Sequence, residues 1–367
     1  MVARALPPLL ALPLALPLAL PLVLPLPLAP RAQSPRGLAL IVPADPAGER
    51  AAALVAALAP ADAARLALHL AGPDGPLPPG AVRLVPRDRG AVEERALARR
   101  AAEARVIALS GGTFAQWYET FFPGGRRSRL ARALVDAWRG GTHVVGSGAA
   151  GAFVAGAAIV PTAELEELGK IERNPRRRRR DTTVYGLGLG PAAIVDAEGW
   201  PGGGIERLLE AMWETKIDLG FLLFGDVVLV DRSQAYRIEC AGGGRALVVD
   251  LERARRQRAA LRQGHMSLLA PGDAWDLAFD RVRPAAARER RLPPRPGTSA
   301  ERALGAEPLW RALAALAAED APERLVLHTA QGRLEIRADQ RSARHVGAGW
   351  ETLSALSFDF VRAPRPR

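Results

Sequence analysis

The sequence predicts an α/β protein built on a mostly parallel sheet, and three observations carry that expectation. Short, continuous apolar runs recur from residue 37 onward, each followed by an alanine-rich or charged amphipathic stretch, the pattern of buried parallel strands alternating with helices. The stretch VVGSGAAGAFVAG (144–156) reads as a strand, a tight turn of small residues and a helix. From residue 219 the rhythm changes to strand–turn–strand, which predicts an antiparallel extension of the sheet.

In order, LALIV (38–42) is a buried strand, Glu49–Leu58 a helix, ARLALHL (64–70) a strand and Ala91–Glu103 a charged helix. RVIAL (105–109) is a third strand, ending in Ser110-Gly111-Gly112. Leu130–Arg139 reads as a helix and THVVG (142–146) as the strand that enters the turn. Beyond it, ERNPRRRRRD (172–181) reads as a solvated loop, or as a docking site for an anionic partner through Arg176–Arg180. AAIVD (192–196), a helix over Ile205–Trp213, and the strands LGFLLF, VVLVD, AYRIE and RALVVD follow, and MSLLAPGDAWDL (266–277) closes a main domain over 37–280. Residues 281–300, rich in Arg and Pro, read as a linker. Residues 301–367 predict a small C-terminal α/β extension with one helix (Pro308–Ala318) and strands at 323–328, 332–337 and near 355–362, packed on the main domain.

Composition narrows the function. Net charge is +11, yet Lys170 and Lys216 are the only lysines, so the basicity is arginine that accompanies abundant Ala, Gly and Pro, as in a GC-rich genome. We therefore expect no nucleic-acid partner. Cys240 is the only cysteine, which excludes an internal disulfide and a cysteine-based metal site. No histidine pair has ligand spacing such as H-x-x-x-H, so neither a metal nor a cofactor is expected. Arg4, an uncharged stretch from Ala5 to Pro30 and then Arg31-Ala32-Gln33 outline a secretory signal over 1–32, cut after Ala32, which predicts an exported protein. The apolar part exceeds the usual ~7–15 residues, and prolines 13, 17, 21 and 25 work against a spanning helix. An uncleaved anchor, leaving the protein membrane-tethered, and a Leu/Pro leader are the competing readings.

The turn at 144–156 has the outline of the elbow that lifts a nucleophile above the end of a sheet, but Gly148, Ala149 and Ala150 at its tip carry no nucleophile. Together with its neighbours it resembles the cyanophycinase and aspartyl-dipeptidase family of serine peptidases. The family's strand end resembles IVPAD (41–45), and its GG.Q turn Gly111-Gly112-Thr113-Phe114. Its GTSAGA elbow resembles Ser147–Ala152, its GLGL segment stands at 186–189, and its DQHF…RGR.GRL stretch runs along Asp196 to Leu208. A GIGIDE.TALVV pattern lies over Gly220 to Asp231, and a GD..DL ending over 272–277. The resemblance implies a three-layer, flavodoxin-like fold related to class I glutamine amidotransferases and a tendency to dimerise. It also implies a lost site: the serine position is Ala149, the histidine position Glu198, the glutamine position Phe114, the acidic pair Phe224 and Gly225, and the two arginines Gly202 and Gly204. The family's opening βα unit has no counterpart here.

A degenerate pocket lined by Gly111, Gly112, Phe114, Ala149, Asp196, Glu198, Trp200 and Phe224 is thus expected, for an unidentified ligand, peptide or anionic. Ser147 is the least poor substitute nucleophile, against its reading as a turn residue bonded to its own backbone. Glu198 is the substitute base, and Asp226 a further carboxylate that would cluster with Asp196 and Glu198. His69 and His143, on apolar strands, read as satisfied strand-end histidines, and His265 as a candidate that could reach the pocket. Trp117, Tyr118, Phe121 and Phe122 predict an amphipathic helix packed inward, or else an apolar patch at the pocket mouth or dimer surface. The leading expectation is an exported peptidase-like protein that has lost hydrolysis and acts as a binding or structural module. The alternative is a hydrolase with a relocated nucleophile.

Overall fold

The computed structural model of the chain describes residues 37–42, 49–59, 63–70, 81–84, 91–161, 181–190, 192–196, 204–225, 227–232, 237–257, 259–285, 290–291, 299–303, 309, 313, 324–329, 332–338, 342–347 and 350–363. The leader over 1–32, the run Arg176–Arg180, and Glu198, Trp200, Gly202 and Asp226 lie outside the described residues, as does most of the expected 308–318 helix.

The first half alternates as its apolar runs dictate: β1 (Ala39–Val42), α1 (Glu49–Leu58), β2 (Arg65–Leu70), β3 (Ala81–Leu84), α2 (Ala91–Glu103), β4 (Val106–Gly111), α3 (Phe114–Phe121), α4 (Arg129–Arg139), β5 (His143–Ser147) and α5 (Ala149–Val154). Its five strands pair in the order β1-β5-β4-β2-β3, every pair parallel. Strand β3 has no counterpart among the sequence expectations, because AVRL is too short and too polar to stand out from the proline-rich segment before it.

The rest of the chain departs from the single extended sheet that the sequence suggests. There are two mixed sheets, and the chain passes repeatedly between them. β6 (Ala157–Pro161), β7 (Asp181–Tyr185), β8 (Ile194–Asp196) and, after α6 (Gly204–Thr215), β9 (Leu219–Phe224) begin the second sheet. β10 (Val227–Arg232) and β11 (Arg237–Gly242) return to the first, where β10 runs antiparallel to β1. β12 (Arg245–Asp250), β13 (Arg255–Gln257) and β14 (Ala260–Leu269) lie in the second, and β15 (Ala274–Asp276) and β16 (Arg281–Arg283) in the first.

The C-terminal strands do not form a separate appendage. β18 (Ser299–Ala303), β19 (Arg324–His328), β20 (Gly332–Arg337) and the long β22 (Trp350–Arg362) continue the second sheet, because β22 pairs antiparallel with both β14 and β20. β17 (Arg290–Arg291) and β21 (Ala343–Gly347) pair with each other, and β21 also with β22. The cause lies in the faces of β22: Leu353, Leu356, Phe358 and Phe360 bury against the same core as Leu261, Met266 and Leu268 of β14.

Side-chain alternation sorts the cores. Ala39 and Ile41 of β1 face a core shared by both sheets and α2–α5, while Leu40 and Val42 face α1. In β9, Phe221 and Leu223 enter the shared core, and Leu222 and Phe224 pack against α6. Where the chain leaves the second sheet for the first, the fully buried Asp273 holds the crossing. Its carboxylate accepts the Ala270 and Ala285 amides at 2.8 and 2.9 Å and the Thr352 hydroxyl of β22. Among the described residues, no helix is long and apolar enough to cross a membrane.

Candidate functional site

The carboxyl ends of β1, β5, β4 and β2 collect the turns singled out in the sequence. β5 runs to Ser147, and α5 begins at Ala149. Between them Gly148 adopts φ 58°, ψ −128°, a conformation that a side chain resists. The strained corner of a strand-to-helix elbow is where a nucleophile stands, and here that corner is Gly148, one residue before the position the family resemblance assigned. Gly148 has no side chain, and Ala149 offers a methyl group. Ala149 is instead the first residue of the helix, with Gly148 as its N-cap.

The elbow is held by close backbone approach. A Cβ on Gly146 would stand 2.7 Å from the Ala150 carbonyl oxygen and 2.8 Å from the Gly151 Cα. One on Gly151 would stand 2.8 Å from the Gly146 carbonyl oxygen. We therefore expect Gly146→Ala to cost about 3 kcal/mol, the upper part of the usual overpacking range, since main chain must move. The urea midpoint checks this against Gly190→Ala, whose new methyl would meet only ordinary contacts. The GLGL segment is structural: Leu187 and Leu189 donate to the Phe153 and Val154 carbonyls, and Gly188 to that of Ala155, closing the C-terminal end of α5.

Gly111, the last residue of β4, and Gly112 after it adopt φ of 72° and 64°. Thr113 then caps α3 in a reciprocal capping box with Gln116. Phe114 points away from any polar role. It packs edge-on at 5.6 Å against Phe153 of α5, which also meets Trp117, Phe121 and Phe122 at 6.2, 5.4 and 6.0 Å. The aromatic cluster is thus an inward-packed helix face, and the Trp117 indole donates to the Gly111 carbonyl at 2.7 Å.

The structure brings Gly111, Gly112, Phe114, Ala149 and Ser147 to one end of the first sheet. Asp196 lies on β8 of the second sheet, 2% exposed at its side chain, and receives a bidentate ion pair from Arg207 of α6 at 2.6 and 3.1 Å. Phe224 belongs to the core under α6, apart from the elbow. Ser147 departs from its expected role: its hydroxyl is buried and makes no hydrogen bond among the described residues, neither to its own backbone nor to a base. His143 Nδ1 accepts the Leu38 amide at 3.0 Å. His265 stands opposite Asp250 on β14 and β12, in the second sheet.

One pair was not legible as a unit. His69 Nδ1 lies 2.9 Å from Ser110 Oγ, side by side on β2 and β4, each 7% exposed. Burial, and secondarily the Arg83 guanidinium on β3, holds the His69 pKa below its ordinary value.

A solved structure of a peptidase from an acI-B1 Actinobacterium is similar to this chain at a TM-score of 0.38 and 13% identity, over 68% of this chain and 95% of that one. No family model matches the chain, and no curated protein matches it.

Proposed function

We propose that this chain is an exported, cyanophycinase-like protein that has lost the serine chemistry of the elbow and serves as a binding or structural module in place of a peptidase. The observation that carries the reading is the elbow itself. The strained corner and its close-packed glycines are present, while the corner residue is Gly148 and its successor Ala149. A nucleophile needs a side-chain oxygen, sulfur or nitrogen with a lone pair to attack with, and neither residue supplies one. Ser147 does not restore the mechanism, since no described group accepts its proton. The flavodoxin-like reading draws support from the four-strand order β3-β2-β4-β5 within the parallel sheet.

The test is hydrolysis of β-aspartyl-arginine and aspartyl dipeptides by the purified mature chain. We expect no turnover above the buffer rate. A kcat in the ordinary enzyme range of about 1–10³ s⁻¹ would overturn the reading.

A further inference from the structure

We propose that Ser110 and His69 form a nucleophile–base pair, with the Ser147 hydroxyl beside them as a hydrogen-bond donor, that accepts an acyl or phosphonyl group from a small ester-like ligand. The inference goes beyond the reading above and does not rest on it. It places reactivity one strand away from the elbow, where the loss at Gly148 and Ala149 has no effect.

Topology comes first. From β2 the chain moves to β3 at the edge of the sheet, then returns across β2 to β4 on its other side. In open α/β sheets, the crevice outside the carboxyl ends of two strands whose connections diverge in this way is where ligands bind. His69 and Ser110 are the next-to-last residues of those two strands and are register partners. Leu109 pairs with Gly146, so Ser147 continues the same row on β5 and Arg83 continues it on β3. With strands spaced about 4.8 Å apart, His69, Ser110 and Ser147 fall within roughly 10 Å on one face.

Chemistry comes second. The hydroxyl and ring nitrogen are 2.9 Å apart, and the lowered pKa of His69 keeps its ring neutral and able to accept a proton at neutral pH. The ring is seated by Gly111, where any Cβ would come within 2.5 Å of its Cε1 and 2.8 Å of its Nε2. The buried Ser147 hydroxyl lacks an acceptor among the described residues. A buried donor without a partner calls for one, and the oxygen of a ligand bound against Ser110 supplies it.

The step balances as an ordinary acyl transfer. Ser110 Oγ bonds to the carbonyl carbon while its proton moves to His69 Nδ1, which requires the tautomer with hydrogen on Nε2. The bond from that carbon to the alkoxide leaving group breaks, and the leaving group takes the proton from Nδ1. With an alkyl fluorophosphonate, the P–O bond forms, fluoride leaves, and the proton passes through His69 to solvent.

The probe is that fluorophosphonate on the full chain, with the adduct mapped by peptide mass spectrometry. We expect one adduct on the peptide holding Ser110, lost in Ser110→Ala. The rate should fall about 100-fold or more in His69→Gln, the usual loss on removing a general base, and about 100-fold or more in Ser147→Ala, the usual loss on removing a hydrogen-bond donor to the developing oxyanion. No adduct on the folded chain, an adduct on Ser147, or labelling indifferent to His69→Gln overturns the proposal. If His69→Gln does not fold, Ser110→Cys replaces it. The new thiol should alkylate with iodoacetamide faster than free cysteine while the buried Cys240 stays silent, and a slower rate overturns the proposal. Peptide turnover that survives Ser110→Ala would defeat the non-catalytic reading separately.

Discussion

Phe153→Ala is expected to destabilise the protein by about 4 kcal/mol, within the usual range for a buried phenylalanine truncated to alanine. Phe153 is fully buried on the short helix that leaves the elbow, and the rings of Phe114, Trp117, Phe121 and Phe122 all stand within 6.2 Å of its centroid. Those four belong to α3 and the residue after it, so a single side chain joins the two helices that follow β4 and β5. The neighbours are rigid rings that cannot flow into the space, which keeps the cavity open and the cost high. Urea unfolding should show a lower midpoint with an unchanged slope, and Phe153→Leu should recover more than half of the loss. A cost below about 1 kcal/mol would mean that the rings do not pack as described.

The second large effect falls on the second sheet. Asp196→Ala should cost about 3 kcal/mol, the lower end of the range for removing one partner of a buried ion pair, because Arg207 is 22% exposed and keeps part of its contact with water. The guanidinium binds the carboxylate through two nitrogens, so Asp196→Asn should lose nearly as much, since the amide matches only half of that fork. Removing both, in Asp196→Ala with Arg207→Met, should recover part of the loss, because the guanidinium then no longer faces a site that has lost its carboxylate. Thermal unfolding of the three variants checks the order. If the double variant is the least stable, the pair acts through more than its own charges.

The residues explain which parts were readable. LALIV, RVIAL and VVGS are continuous apolar runs that only strands buried on both faces use, and helix α4 has Leu130, Leu134 and Trp138 on its buried side at helical spacing. These elements lie within two residues of their expected bounds. The sheet to which a strand belongs was not readable. β9 reads LGFLLF and β10 VVLVDR, and both are buried on two faces, so neither carries a mark that sends one to the second sheet and the other to the first. Only the partners decide: β10 finds β1, and β9 finds β8 and β12.

The site divides in the same way. The absence of a nucleophile at the elbow is visible in Gly148-Ala149-Ala150, but which of the three takes the positive φ is not, because backbone angles are not spelled in small residues. His69 and Ser110 are 41 residues apart. They meet only because β3 is placed outside β2 and leaves the inner edge to β4, and β3 is the one strand of this half that the sequence concealed. The family resemblance puts Phe224 in the pocket. Strand alternation turns it to the opposite face, toward α6.

The exchange of strands between the two sheets bears on how the chain is made. As it emerges from the ribosome, β1 can meet β5 early, but its other edge waits for β10, and β14 waits for the final strand, β22. Asp273, which fixes one crossing, receives the hydroxyl of Thr352 from that same last strand. The first sheet has all its strands once β16 has emerged, but the second cannot complete its pairing until β22 is free, so a nascent chain holds the β14 edge exposed until then, a state open to mispairing. The non-local pairing also points to slow folding, on the scale of milliseconds to seconds or longer. A chaperone able to shield extended edges is therefore the helper this topology calls for.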